Sequence, residues 1–446
     1  MCASDEVGNG RFQYHQHQLL CEDIPLTALA QRYGTPLYVY SRAAILDKAQ
    51  AYLAHAPTNA LVCYAVKANG SPAILRLLAE AGLGADVTSG GELFLALQAG
   101  FAPDKIIYSG VGKLRHEIEE ALNANIRALH VESAMELEYI AAIASERQQV
   151  ASIGVRVNPD IQAETHPYIS TGAAQHKFGV SPETAVALLH KAAQHPWLKP
   201  VGLAAHIGSQ IMDVEPFAAS ANFLVGLADE LSASGIRLDY LDVGGGLGVA
   251  YEGSKWQVAG GKSIDAWVTA VAEPVHTAGY GLVMEPGRSI VAEAGVLLTQ
   301  VIYTKVVSTK VVSTKAVTTT PQGEKEFAIV DAAMNDLVRP TLYSAHHEIL
   351  PVQVRHTSEP SSRDARRTYD VVGPICETGD FLARERPLPP LSPGDLLAVF
   401  HAGAYGFAMS SNYNGRLRPA EVLVDGEHAH LIRQRQTYDH LLAGTK

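Results

Sequence analysis

The sequence predicts an α/β protein: a (β/α)8 TIM barrel followed by a C-terminal, mainly-β domain. Two observations carry that expectation. Between residues 36 and 288, eight short β-branched or apolar runs alternate with longer amphipathic segments, the pattern of repeated β-α units around a parallel sheet. After Arg288 the helical periodicity stops, and strand-like stretches follow one another between Pro- and Gly-rich turns. Eight units in about 250 residues match a closed barrel, although a doubly wound open sheet has the same local alternation.

Three stretches are expected: a polar N-terminal segment, 1–35, packing with the C-terminal domain; the barrel, 36–290; and the β domain, 291–446. A strand, Pro36–Tyr40, and a helix, Arg42–His55, open the barrel stretch. The eight runs are Leu61–Lys67, Ala85–Ser89, Ile106–Ser109, Ala128–Val131, Ile153–Val157, Gly202–His206, Tyr240–Val243 and Leu282–Glu285. Amphipathic segments such as Pro72–Ala81 and Thr184–Ala193 lie between them. In the β domain the strand-like stretches are Val296–Val307, Glu326–Asp331, Thr368–Val372, Asp395–Phe400 and Glu421–Val424. A near-repeat, Thr304–Ser308, Thr309–Ser313 and Thr314–Thr318, favours extended chain. It reads as an elongated hairpin with lysines guarding its edges.

Composition narrows the function. A net charge of −11 with dispersed Lys and Arg provides no basic field for a phosphate backbone, so nucleic acid is not expected as a partner. The four cysteines, Cys2, Cys21, Cys63 and Cys376, have neither the density of a disulfide scaffold nor the spacing of a zinc site, and no metal is expected. Residues 1–30 lack the apolar core of a signal peptide, and no apolar run approaches the ~20 residues of a membrane span. A cytoplasmic protein without a membrane partner is the expectation.

Barrel enzymes carry reactive groups at the carboxyl ends of their strands. In this chain those ends hold Lys67 and Asn69, Ser89, Ser109, His130 and Glu132, Arg156 and Asn158, His206 and Ser209, Gly244–Gly246, then Glu285 and Arg288. Lys67 ends the run Cys63–Asn69, where apolar walls could desolvate its ammonium and free it for imine chemistry; the plain alternative is a lysine snorkelling to solvent. Asp242-Val-Gly-Gly-Gly-Leu-Gly248 offers bare amides to an anion after the seventh strand, or is only a tight bend; Ser209 could add a hydroxyl. Glu285-Pro-Gly-Arg288 either seals the rim as a Glu–Arg pair or sets a carboxylate against a pyridine nitrogen and an arginine against a carboxylate. His206 is either a satisfied core imidazole or a ring stacked on a cofactor. Lysine, anion cradle and ring acid together point to pyridoxal 5'-phosphate, bound to Lys67 as a Schiff base.

Tyr64–Asn69, His206–Gln210, Gly244–Gly246 and Glu285–Arg288 resemble, in order and spacing, the fold-type III, alanine-racemase-like decarboxylases. Within them, His166–Gly172, His176–Gly179 and Asn335–Tyr343 look like segments of the branch that acts on diaminopimelate. Gly373–Asp380 resembles the segment in which a cysteine reprotonates the α-carbon, here Cys376, and a glutamate, here Glu377, contacts substrate. The resemblance implies decarboxylation of meso-2,6-diaminopimelate to L-lysine and carbon dioxide by a homodimer with shared sites. It gives Lys67, His206 and Cys376 catalytic roles. It places Arg156, Ser209, Gly244, Gly245, Gly246, Glu285, Gly287, Arg288 and Tyr405 at the cofactor, and Arg288, Arg339, Tyr343, Glu377 and Tyr405 at the substrate. The alternatives are a decarboxylase for ornithine, arginine, lysine or a carboxylated polyamine, a racemase, and a non-catalytic binding relative.

Overall fold

In the computed structural model, the described residues are 11–161, 177–251, 263–310, 321–354 and 366–446. They form two compact units. One contains residues 46–250 and 258–291, and the other contains 1–45, 251–257 and 292–446.

The first unit is a closed barrel of eight parallel strands: Ala60–Ala65, Gly84–Val87, Ile106–Tyr108, Ala128–Val131, Ala151–Arg156, Leu198–Ala204, Tyr240–Asp242 and Gly281–Met284. Closure is direct, with Leu282 to Met284 of the eighth strand paired in parallel with Ala60 to Val62 of the first. Strands buried on both faces read as apolar runs, which is why the sequence displays them. Helices between them start at side-chain caps: Ser89, Ser133 and Ser181 accept the backbone N–H of Glu92, Glu136 and Thr184.

The barrel's interior is filled by Cys63, Ile107, Ala128, Val201, Tyr240 and Val283. Two large rings share this space. His130 and Tyr240 stack with centroids 6.0 Å apart and are joined by a 2.8 Å bond between Nε2 and the phenol oxygen. Glycines on neighbouring strands make room for them. A Cβ on Gly154 would lie 2.3 Å from His130 Cδ2, and one on Gly202 would lie 2.5 Å from the Tyr240 ring.

The second unit is built on sheets. The strand Leu37–Ser41, expected at the start of the barrel stretch, is not a barrel strand. It pairs antiparallel with Gly295 to Leu298 and parallel with Ala420 to Val424. All five of its residues are buried, so an apolar run was visible in the sequence, but the run carries no mark of which sheet it joins. Phe12, Leu19 and Cys21 from the N-terminal segment pack in one core with Val39, Val296, Phe400 and Val422.

Gly295–Lys310 and Pro321–Val330 form a long antiparallel hairpin, in register from Val301 opposite Val330 to Lys310 opposite Pro321. The later copies of the threonine-lysine repeat, from residue 311, lie outside the described residues, as does His166–Gly172. Six strands among the described residues escaped the sequence reading: Phe12–His15, Gln18–Cys21 and Ile24–Pro25 in the N-terminal segment, then Ile349–Pro351, Phe381–Leu388, with its arginines and glutamate, and the largely exposed His428–Arg433. They are too short or too polar to show an apolar run.

Substituting Gly202 by Ala is expected to lower stability by about 1–3 kcal/mol through overpacking against Tyr240. A shift of the urea midpoint at unchanged m-value would show it.

Candidate active site

Lys67 lies on a single 3-10 turn, Val66–Ala68, immediately after the first barrel strand. Its Nζ is 2.6 Å from Oδ2 of Asp86, on the wholly buried second strand. The apolar desolvation expected of this lysine is therefore not what surrounds it: its partner is a carboxylate, and its side chain is 38% exposed. Burial opposes charge on Asp86, but the Lys67 ammonium holds the carboxyl below its usual range.

Opposite the lysine stands a carboxyl group in the reverse condition. Glu285 follows the eighth strand, donates its backbone N–H to Gly244 O at 2.7 Å and accepts the Ser109 hydroxyl at 3.3 Å. Burial, reinforced by the charges of Asp242 and Asp86, pushes Glu285 well above the ordinary carboxylate range. Asp242, the last residue of the seventh strand, is pushed up to about 7, chiefly by burial.

The imidazole of His206 accepts the Gly245 N–H at Nδ1, 3.2 Å away, which places the ring proton of the neutral form on Nε2. Burial, then Arg156 and Lys67, push His206 down to about 3, so it is a neutral ring. Arg156 is held by Glu132 at 3.3 Å, with its guanidinium 4.9 Å from the centre of the Phe178 ring.

The Gly244–Gly246 turn departs from the expected cradle of bare amides. Gly244 donates to Asp242 Oδ1 at 2.8 Å and Gly245 to His206, so two of the three N–H groups are engaged within the protein. What the glycines provide is close approach: a Cβ on Gly245 would meet Glu285 O at 2.1 Å, and one on Gly246 would meet Gly208 O at 2.2 Å. Beside the turn, Arg288 donates to Ser209 Oγ at 2.9 Å. Gly287 packs against the first strand, where an added Cβ would lie 3.0 Å from Ala65 Cβ.

A cavity of about 330 Å³ gathers these groups, with Lys67, Arg156, Phe178, His206 and Glu285 in its wall. It fits pyridoxal phosphate on chemical grounds: an amine, a carboxyl group pushed above its ordinary range and a neutral imidazole share its wall. Buried Arg156 Nε has no hydrogen-bond partner in the described residues, a donor that a bound anionic group would satisfy.

Five predicted residues belong to the second unit. Arg339 is buried, bonded through NH1 to His347 Nε2 at 2.9 Å, and its guanidinium lies 4.5 Å from the Tyr251 ring centre. Tyr343 closes the same short helix, Arg339–Tyr343. Cys376 is exposed and its N–H is held by Asn414 Oδ1 at 3.1 Å, while Glu377 accepts the Tyr413 hydroxyl. Tyr405 has φ of 55°, a left-handed conformation that an aromatic residue rarely adopts.

Residues 42–292 match the family described as pyridoxal-dependent decarboxylase, pyridoxal binding domain. Over 434 residues the chain is 47% identical to the diaminopimelate decarboxylase of Pseudomonas aeruginosa, covering 97% of this chain and 98% of that one. The chain belongs to the diaminopimelate decarboxylase family. A solved member from M. jannaschii, in complex with L-lysine, superposes with a TM-score of 0.88 at 34% identity, covering 99% of both chains. The Helicobacter pylori enzyme, also complexed with L-lysine, superposes with a TM-score of 0.83 at 39% identity over 94% of this chain and 98% of that one. Like its relatives, this chain is a pyridoxal-phosphate-dependent carboxy-lyase with an α/β barrel and a mainly-β C-terminal domain.

Asp86 is the site residue that the sequence reading missed. A lone carboxylate inside the apolar stretch Leu83–Val87 was the available signal, because a buried acid without a partner is costly. Among the described residues, no helix is long and apolar enough to cross a membrane.

His130, pushed down to about 3 by burial and Lys113, is neutral when folded and protonated when unfolded near pH 5. Its depressed value contributes stability above about pH 6.5 that is lost as pH falls toward 3. Replacing His130 by Gln is expected to reduce proton uptake on unfolding near pH 5 by about one, as measured from the pH dependence of denaturant-derived stability.

Proposed function

We propose that the chain decarboxylates meso-2,6-diaminopimelate to L-lysine and carbon dioxide in the cytoplasm, as a homodimer in which each barrel is completed by the partner's β domain. One observation carries the chemistry. A lysine amine beside Asp86 and an acid pushed above its ordinary range, Glu285, line the same cavity with the neutral ring of His206.

Pyridoxal phosphate, when bound, supplies an aldehyde for amine capture and an electron-accepting ring. Lys67 would hold the group through its amine, the position a substrate amine would take over. Asp86 orients the Lys67 amine and balances its charge. Glu285 would partner the ring nitrogen, and His206, bonded to Gly245, would offer its face to the ring. Ser209, Gly244–Gly246, Gly287, Arg288 and Arg156 form the anion-binding side, with the engaged Gly244 and Gly245 amides shaping the turn rather than binding directly.

Arg288, Arg339, Tyr343, Glu377 and Tyr405 receive the substrate. Arginines suit the distal carboxylate of diaminopimelate, whereas an acidic pocket would suit the bare ammonium of ornithine. Cys376 returns a proton to the α-carbon, and its exposure on the surface of its own chain supports a role at a neighbouring subunit's barrel.

Carbon dioxide release from meso-diaminopimelate should exceed that from lysine, ornithine or arginine in kcat/KM; preference for ornithine would reverse the substrate assignment. Racemisation would yield no carbon dioxide. Lys67→Ala should abolish turnover and leave no borohydride-trapped cofactor, an adduct that a non-catalytic binding relative would also lack in its native form.

Cys376→Ala should lower turnover or product fidelity more than cofactor affinity. Mixing Lys67→Ala with Cys376→Ala subunits should restore at most about a quarter of wild-type activity, the share expected when one intact site forms in half of randomly paired dimers. No recovery after confirmed subunit exchange would exclude shared sites.

A further inference from the structure

Glu285, in the cavity wall, has a second, fully buried carboxyl group beside it, Asp242, where a pyridine nitrogen requires one partner. Oxygens of Asp242 and Glu285 and a nitrogen of His130 lie within 4.8 Å of one another. Asp242 is fully buried, and its Oδ1 accepts the Gly244 N–H at 2.8 Å. Its Oδ2 finds no donor: His130 Nδ1 is 4.0 Å away, beyond hydrogen-bond reach, and the other ring nitrogen is bonded to Tyr240.

An ionised oxygen buried without a donor is costly, whereas a protonated one needs only an acceptor. Glu285, with an oxygen within 4.8 Å, is the group with which Asp242 can share such a proton. Two buried carboxyl groups at this separation do not both ionise.

The surrounding charges support the same count. Lys67 pairs with Asp86 at 2.6 Å and Arg156 with Glu132 at 3.3 Å. His130 is neutral, and Cys63 and Tyr240, also facing the pair, are pushed up by burial and stay protonated. The Asp242–Glu285 pair is left with one negative charge, which is what a protonated ring nitrogen needs opposite it.

We propose that Asp242 and Glu285 hold one proton between them, in a hydrogen bond from one carboxyl group to the other. Asp242 is thus the positioning residue that keeps the pair singly charged where Glu285 would meet the ring nitrogen. The inference rests on the pyridoxal phosphate reading. A divalent cation bridging the same three residues is the competing way to neutralise them, but it would enter a cavity that already holds the Lys67 ammonium and the Arg156 guanidinium.

The test uses holoenzyme carrying 13C-labelled aspartate and 15N-labelled pyridoxal phosphate. Infrared difference spectra at neutral pH should show a carboxylic-acid carbonyl band in wild type that is absent from Asp242→Asn. Asp242→Ala should shift the ring-nitrogen resonance away from the protonated position and lower kcat on the order of 100-fold. Asp242→Asn, neutral and able to donate through its amide, should recover about tenfold of that loss and most of the nitrogen shift.

A wild-type holoenzyme without the acid band overturns the proposal, as does an Asn variant no better than Ala in both kcat and nitrogen shift. A stoichiometric divalent cation in the holoenzyme, lost with Asp242→Ala, overturns it as well. If the Ala variant does not fold, loss of the band in the Asn variant decides. Wild-type protein that takes up no cofactor would overturn the functional reading, and this inference with it.

Discussion

A low-dielectric barrel interior tolerates ionisable groups only in neutralised sets, and that constraint orders everything around the cavity. The Lys67–Asp86 pair satisfies it at the first and second strands, and the Arg156–Glu132 pair at the fourth and fifth. At the seventh and eighth strands two carboxyl groups, Asp242 and Glu285, lie together, and burial pushes both above the ordinary carboxylate range. The imidazoles respond by giving their protons up. Parallel closure brings these three solutions together, because every strand delivers its carboxyl end to the same side of the barrel.

Space is the second constraint, and glycine resolves it in two distinct ways. Gly154 and Gly202 omit side chains so that the His130 and Tyr240 rings fit inside the barrel. Gly244 to Gly246 omit them so that the seventh-strand turn can touch the backbone of Glu285 and Gly208. The second use accounts for a motif that reads as a phosphate cradle. Its first two amides serve Asp242 and His206, fixing a buried acid and a ring of the cavity wall.

In the other unit the same logic of buried charge recurs around Arg339. A guanidinium always donates, so His347 must accept through Nε2, and its Nδ1 proton then goes to Phe400 O at 2.8 Å. The arginine is thus held by a neutral imidazole. Nearby in the chain, His401 and Tyr405 both have left-handed backbone, a strain that persists only where the surrounding structure over-determines it.

How much of this was legible in the sequence follows from the range of each interaction. Strand runs and glycine turns are local, so the eight-unit barrel, the β-rich continuation, and the positions of Lys67, His206 and Glu285 at strand ends could all be read along the chain. The segments matching known decarboxylases made the chemistry legible as well. Pairing across the barrel is not local. Nothing along the chain revealed that Asp86 faces Lys67, that Asp242 faces Glu285, or that Leu37–Ser41 joins the other unit's sheet. Residue type and order determined which groups were available; only the tertiary structure decided which charges met, because burial and closure set the distances at which a proton is kept or lost.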